Sequence, residues 1–260
     1  MLTDKRAVIT GSTSGIGLAI ARELAANGAN VVINGFGDAA EIEKERAGIE
    51  RDFKVKAYYI NADLMQASAA REFIKAAAGK LGGVDILVNN AGIQHTDLIE
   101  DFPVERWDAI IALNLSAVFH GTAAALPYMK KQGWGRIINI ASAHGLVASV
   151  NKAAYVAAKH GVVGLTKVTA LENAGNGVTC NAICPGWVRT ALVEKQIKAL
   201  AQKNKSDVEA AAKELLFEKQ PSLQFVTTKQ LGGAAVFLAS DAAEQMTGTT
   251  LSLDGGWTAR

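Results

Sequence analysis

Short runs rich in valine and isoleucine alternate with segments of helical periodicity along most of this 260-residue chain. Apolar strands separated by helices form parallel sheets that are covered by helices on both faces. Right-handed crossovers then produce a doubly wound fold, which binds ligands at the carboxyl ends of its strands. We therefore predict a single α/β domain with a parallel sheet of about seven strands. The predicted strands are 6–10, 30–34, 55–60, 84–90, 135–142, 177–186 and 249–256, and the predicted helices are 15–28, 39–51, 66–80, 103–131, 152–174 and 228–240.

The alternation stops at residues 187–226, which are polar, rich in lysine and glutamate, and helical without a strand pattern. In a doubly wound fold this segment hangs over the ligand-binding edge of the sheet. It is either a surface helical hairpin or a mobile lid over the substrate, and we favour the lid.

Composition excludes several function classes. A hydrophobic fraction of 49% suits one large core, and a net charge of +2 is too balanced to predict nucleic-acid binding. The uncharged run 109–129 is interrupted by Asn114 and His120, so we expect a buried or interface helix and no membrane span. The chain begins directly with a strand-like segment, which predicts a cytoplasmic protein without a signal peptide. Cys180 and Cys184 lie in an apolar run and are expected to be buried free thiols, and the four histidines show no metal-ligand spacing.

A glycine-rich turn, "TGSTSGIG", follows the first predicted strand. Gly11, Gly15 and Gly17 fall where this strand turns into a helix. Glycines let the backbone approach a pyrophosphate closely, and the helix N-terminus offers free N–H groups with a partial positive charge. The context favours a dinucleotide site over a simple tight turn.

The end of the second strand indicates which dinucleotide binds. The sequence after Ile33 is "NGFGDAA", with no lysine or arginine to pair with a 2′-phosphate, and Ser14 is also uncharged. The usual ribose-binding acid is missing from the strand tip, although Asp38 follows closely. We therefore predict NAD as the cofactor in preference to NADP. Phe36 either lies against the adenosine or is an ordinary half-buried aromatic residue.

Tyr155 lies between two lysines in the charge-poor run "SAHGLVASVNKAAYVAAKHG". Tyr155 and Lys159 are four residues apart and share a helix face. Bringing a tyrosine pKa from about 10 to about 7 requires about 4 kcal/mol. An ammonium at about 5 Å contributes about 3 kcal/mol at an effective dielectric of about 20. We predict that Lys159, helped by a positive nicotinamide ring, lowers the pKa of Tyr155 towards neutrality and makes it a general acid and base.

These motifs occur together in the order of a known family. "TGSTSGIG", "NNAG" at 89–92, Asn114, Ser142, "YVAAK" at 155–159 and "PG" at 185–186 resemble the short-chain dehydrogenase/reductase family over the whole chain. The resemblance implies a Rossmann fold and a catalytic tetrad of Asn114, Ser142, Tyr155 and Lys159. In that tetrad Ser142 binds the substrate oxygen, Lys159 also binds the nicotinamide ribose, and Asn114 holds a water in a proton relay.

The resemblance also implies the residues that contact the cofactor. Asp63 is expected at the adenine amine, and the 185–190 segment at the nicotinamide carboxamide. With Phe36, Tyr155, Lys159 and the three glycines, the expected cofactor residues are Thr13, Ile16, Asp63, Leu64, Asn90, Ala91, Gly92, Pro185, Gly186, Trp187, Val188 and Thr190.

Four polar residues are predicted near the same edge of the sheet. Lys152 precedes the active-site helix, Gln94 follows the fourth strand and His144 follows Ser142, while Gln196 lies in the insertion. Each alone is readily a surface residue. Together, three neutral donors and one cation suit a substrate carboxylate.

A narrower resemblance supports this set. "NNAGIQHT", "SAHGLVASVNK", "CPGWVRT", "EKQPSLQFVT" and "SLDGGWTAR" resemble a subfamily of bacterial D-3-hydroxybutyrate dehydrogenases. It implies reversible oxidation of (R)-3-hydroxybutyrate to acetoacetate with NAD, with Trp187 and Trp257 walling the methyl end of the substrate. It also implies a homotetramer. Some relatives carry a divalent ion near the carboxylate of Arg260, but we predict no metal.

Two other functions stay open at this point. One is a reductase for another small keto acid or for a ketoacyl thioester. The other is a non-catalytic cofactor sensor, which predicts a broken tetrad, whereas all four tetrad residues are present here.

Overall fold

The computed structural model describes residues 1–259, apart from the side chain of Leu192. Seven parallel strands form one sheet in the order β3-β2-β1-β4-β5-β6-β7. The predicted doubly wound parallel sheet is therefore confirmed. The strands are β1 (Arg6–Ile9), β2 (Asn30–Ile33), β3 (Ala57–Tyr59), β4 (Ile86–Asn89), β5 (Gly135–Ile140), β6 (Val178–Pro185) and β7 (Thr250–Leu253).

Nine helices accompany the sheet within the described residues. They are α1 (Gly15–Ala26), α2 (Ala39–Phe53), α3 (Ala67–Leu81), α4 (Val104–Ile111), α5 (Ala117–Gln132), α6 (Ala153–Asn173), α7 (Ala191–Asn204), α8 (Val208–Lys219) and α9 (Thr228–Ala239). Helix α1 packs against α9, and α3 packs against α5. Five of the six predicted helices are present within a few residues of their expected ends, the sixth, 103–131, is divided between α4 and α5, and α7 and α8 occupy the predicted insertion.

Alternate side chains of the strands pack into two separate apolar cores, one on each face of the sheet. Ala7 and Ile9 pack into one apolar cluster with α1 and α9, whereas Val8 packs into a second cluster with α3 and α5. The strand period of two residues produces this separation, because successive side chains point to opposite faces. Both faces are therefore buried, which explains the nearly continuous apolar strands in the sequence.

The long predicted helix at 103–131 is interrupted. A π-helical turn, Ala112–Ser116, separates α4 from α5 and contains Asn114. The whole run Val104–Gln132 has the length and apolar composition of a membrane-crossing helix. It instead packs along β4, β5 and α3, and its Asn114 is fully buried. This is the arrangement of a core helix, as the interrupted apolar pattern predicts.

Candidate active site

The site lies where the strand order changes direction, at the carboxyl ends of β1 and β4. The polypeptide leaves β1 towards β2 and leaves β4 towards β5, in opposite directions along the sheet. This opens a crevice between the loops that follow β1 and β4. A cavity of about 600 Å³ occupies the crevice. Most residues predicted from the sequence line it: Gly11, Thr13, Gly15, Ile16, Phe36, Asp63, Leu64, Asn90, Ala91, Gly92, Gln94, Ser142, His144, Lys152, Tyr155, Lys159, Pro185, Gly186, Trp187, Val188, Thr190 and Trp257.

Three predicted residues are not part of this wall: Gly17, Asn114 and Gln196. Gly17 lies behind the glycine turn and Asn114 lies beneath the loop after β4. Gln196 is half-buried on α7, where Val193 lines the cavity and Ile197 packs into the apolar cluster below. The structure thus brings together the predicted substrate residues Gln94, His144 and Lys152, but not Gln196.

The glycine turn has the shape that a phosphate cradle requires. Gly15 has φ +58, and a Cβ built there would meet only Thr190 Cγ2 at 3.9 Å, so the space above the turn is open. At Gly17 a Cβ would lie 2.3 Å from Gly11 O, so only glycine lets α1 start this close to the strand. Asn90 Nδ2 donates to Gly11 O at 2.8 Å and to Thr10 O at 3.0 Å, which fixes the turn to the end of β4. These residues fit a dinucleotide pyrophosphate.

One end of the cavity is formed by the residues that follow β2. Asn34, Gly35 and Phe36 form the wall here, and among the described wall residues the lysines are Lys152 and Lys159, at the other end of the cavity. The carboxylate of Asp38 accepts from the backbone N–H groups of Ala40 and Glu41, so it caps α2. Phe36 is 65% exposed and lines the cavity.

Tyr155 and Lys159 face the centre of the cavity from α6. Lys159 Nζ lies 5.6 Å from the Tyr155 ring centroid and donates to Ile140 O at 2.7 Å. Burial lowers the pKa of Lys159 to about 8. The predicted geometry is present, whereas the predicted lowering of the Tyr155 pKa, which includes a contribution from the nicotinamide ring, stays a prediction. Burial raises the pKa of Tyr155, because it removes the phenolate from water, and the hydrogen bond with Ser142 opposes this only in part.

Ser142 and His144 sit together on the short 3₁₀ turn after β5, Ala143–Gly145. Ser142 Oγ accepts from the backbone N–H of His144 at 3.1 Å and lies 3.4 Å from His144 Nδ1. The His144 ring packs edge-on against Tyr155 at 5.9 Å and Trp257 at 5.1 Å. Burial, followed by repulsion from Lys152 and other cations, lowers the pKa of His144 to about 3, so the ring is neutral near pH 7.

The end of the cavity around Lys152 presents hydrogen-bond donors without acceptors in the described part of the chain. Lys152 is 8% exposed and forms no hydrogen bond or ion pair within residues 1–259; its Nζ lies 4.9 Å from the Trp187 ring centroid. Burial and then repulsion from Lys219 lower its pKa to about 8. Gln94 Nε2 and Trp187 Nε1 are also buried without a partner in the described part of the chain. Buried unpaired donors are costly, so this arrangement fits a ligand that only accepts hydrogen bonds.

Asn114 is held by the backbone beneath the cavity. Its Oδ1 accepts from Ile93 N and its Nδ2 donates to Ile93 O, both at 2.9 Å. The π-helical turn aims the amide at this loop. These bonds tie the segment after β4 to the helix, and the water-relay role of Asn114 stays a prediction.

Comparison with known proteins agrees with this geometry. The profile of a family described as short chain dehydrogenase matches residues 5–201. The chain belongs to the short-chain dehydrogenase family. It is accordingly an oxidoreductase of a family that uses nicotinamide cofactors.

Individual relatives are similar over full length. The chain is 59% identical over 260 residues to a D-beta-hydroxybutyrate dehydrogenase of Cupriavidus necator, covering 100% of both chains. It is 55% identical over 259 residues to a D-beta-hydroxybutyrate dehydrogenase of Rhizobium meliloti, covering 98% of this chain and 99% of the relative. A solved actinorhodin polyketide ketoreductase with NADPH superposes with a TM-score of 0.92 at 32% identity, covering 100% of both chains.

The roles of three residues beside this short-chain dehydrogenase site were not predicted from the sequence, although their segments belong to the motifs of the resemblance. Gln220 is fully buried, and its Oε1 accepts from Trp187 N at 2.8 Å, which fixes the segment after β6. Lys219 Nζ donates to Ser149 Oγ at 2.7 Å, and that oxygen lies 2.9 Å from His144 Nε2. Gln220 and Trp187 are 33 residues apart, and Lys219 and Ser149 are 70 residues apart, so no local spacing in the sequence predicts these contacts. The carboxylate of Arg260, where some relatives carry a divalent ion, lies outside the described residues.

Proposed function

We propose that this protein oxidises (R)-3-hydroxybutyrate to acetoacetate, reversibly and with NAD, in the cytoplasm. The observation that carries the proposal is the buried ammonium of Lys152, which has no hydrogen-bond acceptor in the described chain and lines the same cavity as Tyr155 and Ser142. Lowering a lysine pKa from 10.5 to about 8 corresponds to about 3 kcal/mol. A substrate carboxylate at Lys152 offsets this cost, and Gln94 Nε2 supplies a second donor to it.

The size of the site suits a short hydroxy acid. In a 3-hydroxy acid one methylene separates the carboxyl carbon from the carbon that is oxidised, so both ends must bind within one small pocket. His144 borders both ends, since its ring contacts Tyr155 and Ser142 on one side and Trp257 on the other. Trp187 and Trp257, with ring centroids 5.6 Å apart, close the pocket around the methyl group.

The chain's own residues move the proton. Tyr155 Oη takes the hydroxyl proton of the substrate during oxidation and returns it during reduction. Ser142 Oγ binds the same substrate oxygen and orients it towards Tyr155. Lys159, held by Ile140 O, stabilises the phenolate. The oxidised nicotinamide cofactor, when bound, accepts the hydride and adds a positive ring to the site.

NAD is the better fit at the adenosine end. A 2′-phosphate requires a cation, and the wall formed by Asn34, Gly35 and Phe36 provides none. Gly11, Gly15, Asn90 and Thr190 would hold the pyrophosphate and nicotinamide portions. The NADPH found with the polyketide ketoreductase belongs to that protein.

We expect α7 and α8 to act as a substrate lid. In the described conformation Gln196 stands outside the cavity wall, although its helix neighbour Val193 lines it. A small shift of α7 would bring the Gln196 amide to the substrate carboxylate and exclude water.

A homotetramer is also part of the proposal. Several large apolar side chains are exposed on the helices predicted to form interfaces: Phe119 on α5, and Val168 and Leu171 on α6. Such side chains mark contact surfaces when they cluster. Light scattering on the purified protein is expected to give four times the chain mass, and a monomer would reject this part.

The decisive assay crosses two cofactors with several substrates. Purified protein is mixed with NAD or NADP and with (R)-3-hydroxybutyrate, its (S) enantiomer or a 3-hydroxyacyl thioester, and reduced cofactor is followed by absorbance. We expect turnover with NAD and the (R) acid and little with the other pairs. Preferred turnover of the thioester would favour a ketoacyl reductase, and cofactor binding without turnover of any hydroxy acid would favour a sensor.

A further inference from the structure

A chain of hydrogen bonds links the insertion to the substrate site. Lys219, the last residue of α8, donates from Nζ to Ser149 Oγ at 2.7 Å. Ser149 Oγ lies 2.9 Å from His144 Nε2, and His144 Nδ1 lies 3.4 Å from Ser142 Oγ. The chain therefore runs from an α8 lysine to the hydroxyl that is proposed to bind the substrate oxygen.

The direction of each bond follows from what each group can donate. An ammonium has three donors and no acceptor, so Ser149 Oγ must accept from Lys219. The hydroxyl proton of Ser149 then has His144 Nε2 as its acceptor within reach. A neutral imidazole carries one proton, and an accepting Nε2 places that proton on Nδ1.

The tautomer of His144 determines what Ser142 can do. With a proton on Nδ1, His144 cannot accept the hydroxyl proton of Ser142, which stays available for the substrate oxygen. With the proton on Nε2, Nδ1 becomes an acceptor that competes with the substrate for the same hydroxyl. The backbone N–H of His144 already donates to Ser142 Oγ at 3.1 Å, so the hydroxyl needs an acceptor elsewhere.

We infer that Lys219 is a positioning residue: through Ser149 it keeps the proton of His144 on Nδ1 and leaves the Ser142 hydroxyl free for the substrate. The inference rests on the proposed function for its catalytic consequence, but not for the tautomer itself. It also makes the docked position of α8 part of the active arrangement, because Lys219 reaches Ser149 only from the end of this helix.

The tautomer is measurable without any turnover. Nitrogen-15 spectra of histidine-labelled protein distinguish a proton on Nδ1 from one on Nε2, and the His144→Gln spectrum assigns the signals. We expect the Nδ1–H form in the unmodified protein and in Lys219→Arg, and a mixture of both forms in Lys219→Met and Ser149→Ala. A dominant Nε2–H form, or identical spectra for all variants, would overturn the inference.

Kinetics then test the consequence. Lys219→Met and Ser149→Ala are each expected to lower kcat about five- to tenfold, the size of one hydrogen bond, while NAD affinity is kept. The double variant should be no slower than either single variant, because both changes break the same chain. Losses that multiply would mean that Lys219 acts by its charge alone and would reject the relay through Ser149.

The experiment includes a matched control, and its outcomes distinguish failure of the proposed function from failure of the positioning role of Lys219. Lys213→Met changes an exposed lysine on the same helix and is expected to leave kcat unchanged. If the protein fails to oxidise 3-hydroxybutyrate but the Nδ1–H signal depends on Lys219 and Ser149, the function proposal fails and the positioning inference stands. If turnover is normal and the spectra do not respond to either variant, the reverse holds.

Discussion

The two ends of the cavity are built in different ways. At the cofactor end the backbone sets the shape, since Gly15 and Gly17 leave room for a close approach and Asn90 fixes the turn to β4. At the end proposed to bind the substrate, side chains from distant segments converge, and Lys152 Nζ and Gln94 Nε2 have no hydrogen-bond acceptor in the described chain. In the proposed function the cofactor is therefore bound by fixed geometry, whereas the substrate is selected by charge and donor pattern.

The largest expected effect on activity is at Tyr155, in the centre of the cavity. Tyr155→Phe should lower kcat by about 10³-fold or more, since general acid–base catalysis contributes up to about 10⁴-fold. NAD affinity should stay within about twofold, because one hydroxyl alone is removed. Initial rates and NAD titration by fluorescence measure both. The control, Tyr128→Phe, changes a half-buried tyrosine outside the cavity wall and should retain full activity. Substantial turnover by Tyr155→Phe would remove Tyr155 from the mechanism.

Removal of the buried Lys152 ammonium tests whether the substrate is recognised by its charge. Lys152→Met should raise KM for 3-hydroxybutyrate about 100-fold, because a hydrogen bond to a charged group contributes up to about 3 kcal/mol. KM for NAD should not change. With a neutral secondary alcohol as substrate, the two proteins should differ far less. An unchanged KM for the acid would reject carboxylate binding by Lys152.

The same residue carries a pH signature. Because burial lowers the pKa of Lys152 to about 8, its charge is present below that pH and lost above it. KM for the acid in the unmodified protein is therefore expected to rise above about pH 8. In Lys152→Met this rise should be absent.

At the cofactor end a single methyl group is expected to act through shape alone. A Cβ at position 17 would lie 2.3 Å from Gly11 O and 2.5 Å from Asn90 Nδ2, so Gly17→Ala must displace the turn. We expect NAD affinity to fall about 30-fold, equivalent to about 2 kcal/mol of overpacking. Gly79→Ala is the control, since a Cβ there meets nothing within 4 Å. Equal NAD affinity of both variants would contradict the fixed-geometry account.

The smallest expected effect concerns the proposed lid. Gln196→Ala should raise KM for the hydroxy acid about three- to fivefold through loss of one neutral hydrogen bond. NAD binding should be unaffected. No change in KM would mean that α7 does not bring Gln196 to the substrate, and the residue would leave the proposed site.

Sequence patterns predicted the parts of the molecule that depend on local chemistry. The strand and helix periods gave the sheet and its helices, and the turn at Gly11, Gly15 and Gly17 lies where its motif predicts. Tyr155 and Lys159 face one cavity because a four-residue spacing puts them on one helix face.

Features that depend on distant parts of the chain were not predictable. The π-helical turn around Asn114 has no distinct periodicity, so the sequence indicated one unbroken helix. The contacts of Lys219 and Gln220 join segments far apart in the chain and follow from how α8 packs. The burial of Tyr155, which raises its pKa in the chain alone, also depends on distant segments and is not visible in the sequence.

The pairing of Tyr155 with Lys159 is tested most directly by the pH dependence of kcat/KM for oxidation at saturating NAD. Lys159 Nζ lies 5.6 Å from the Tyr155 ring centroid. An ammonium at about this separation from a phenolate contributes about 3 kcal/mol at an effective dielectric of about 20, which corresponds to about two pKa units. The limb on which activity rises with pH should therefore move upwards by about two units in Lys159→Met. The same limb position in both proteins would contradict the account.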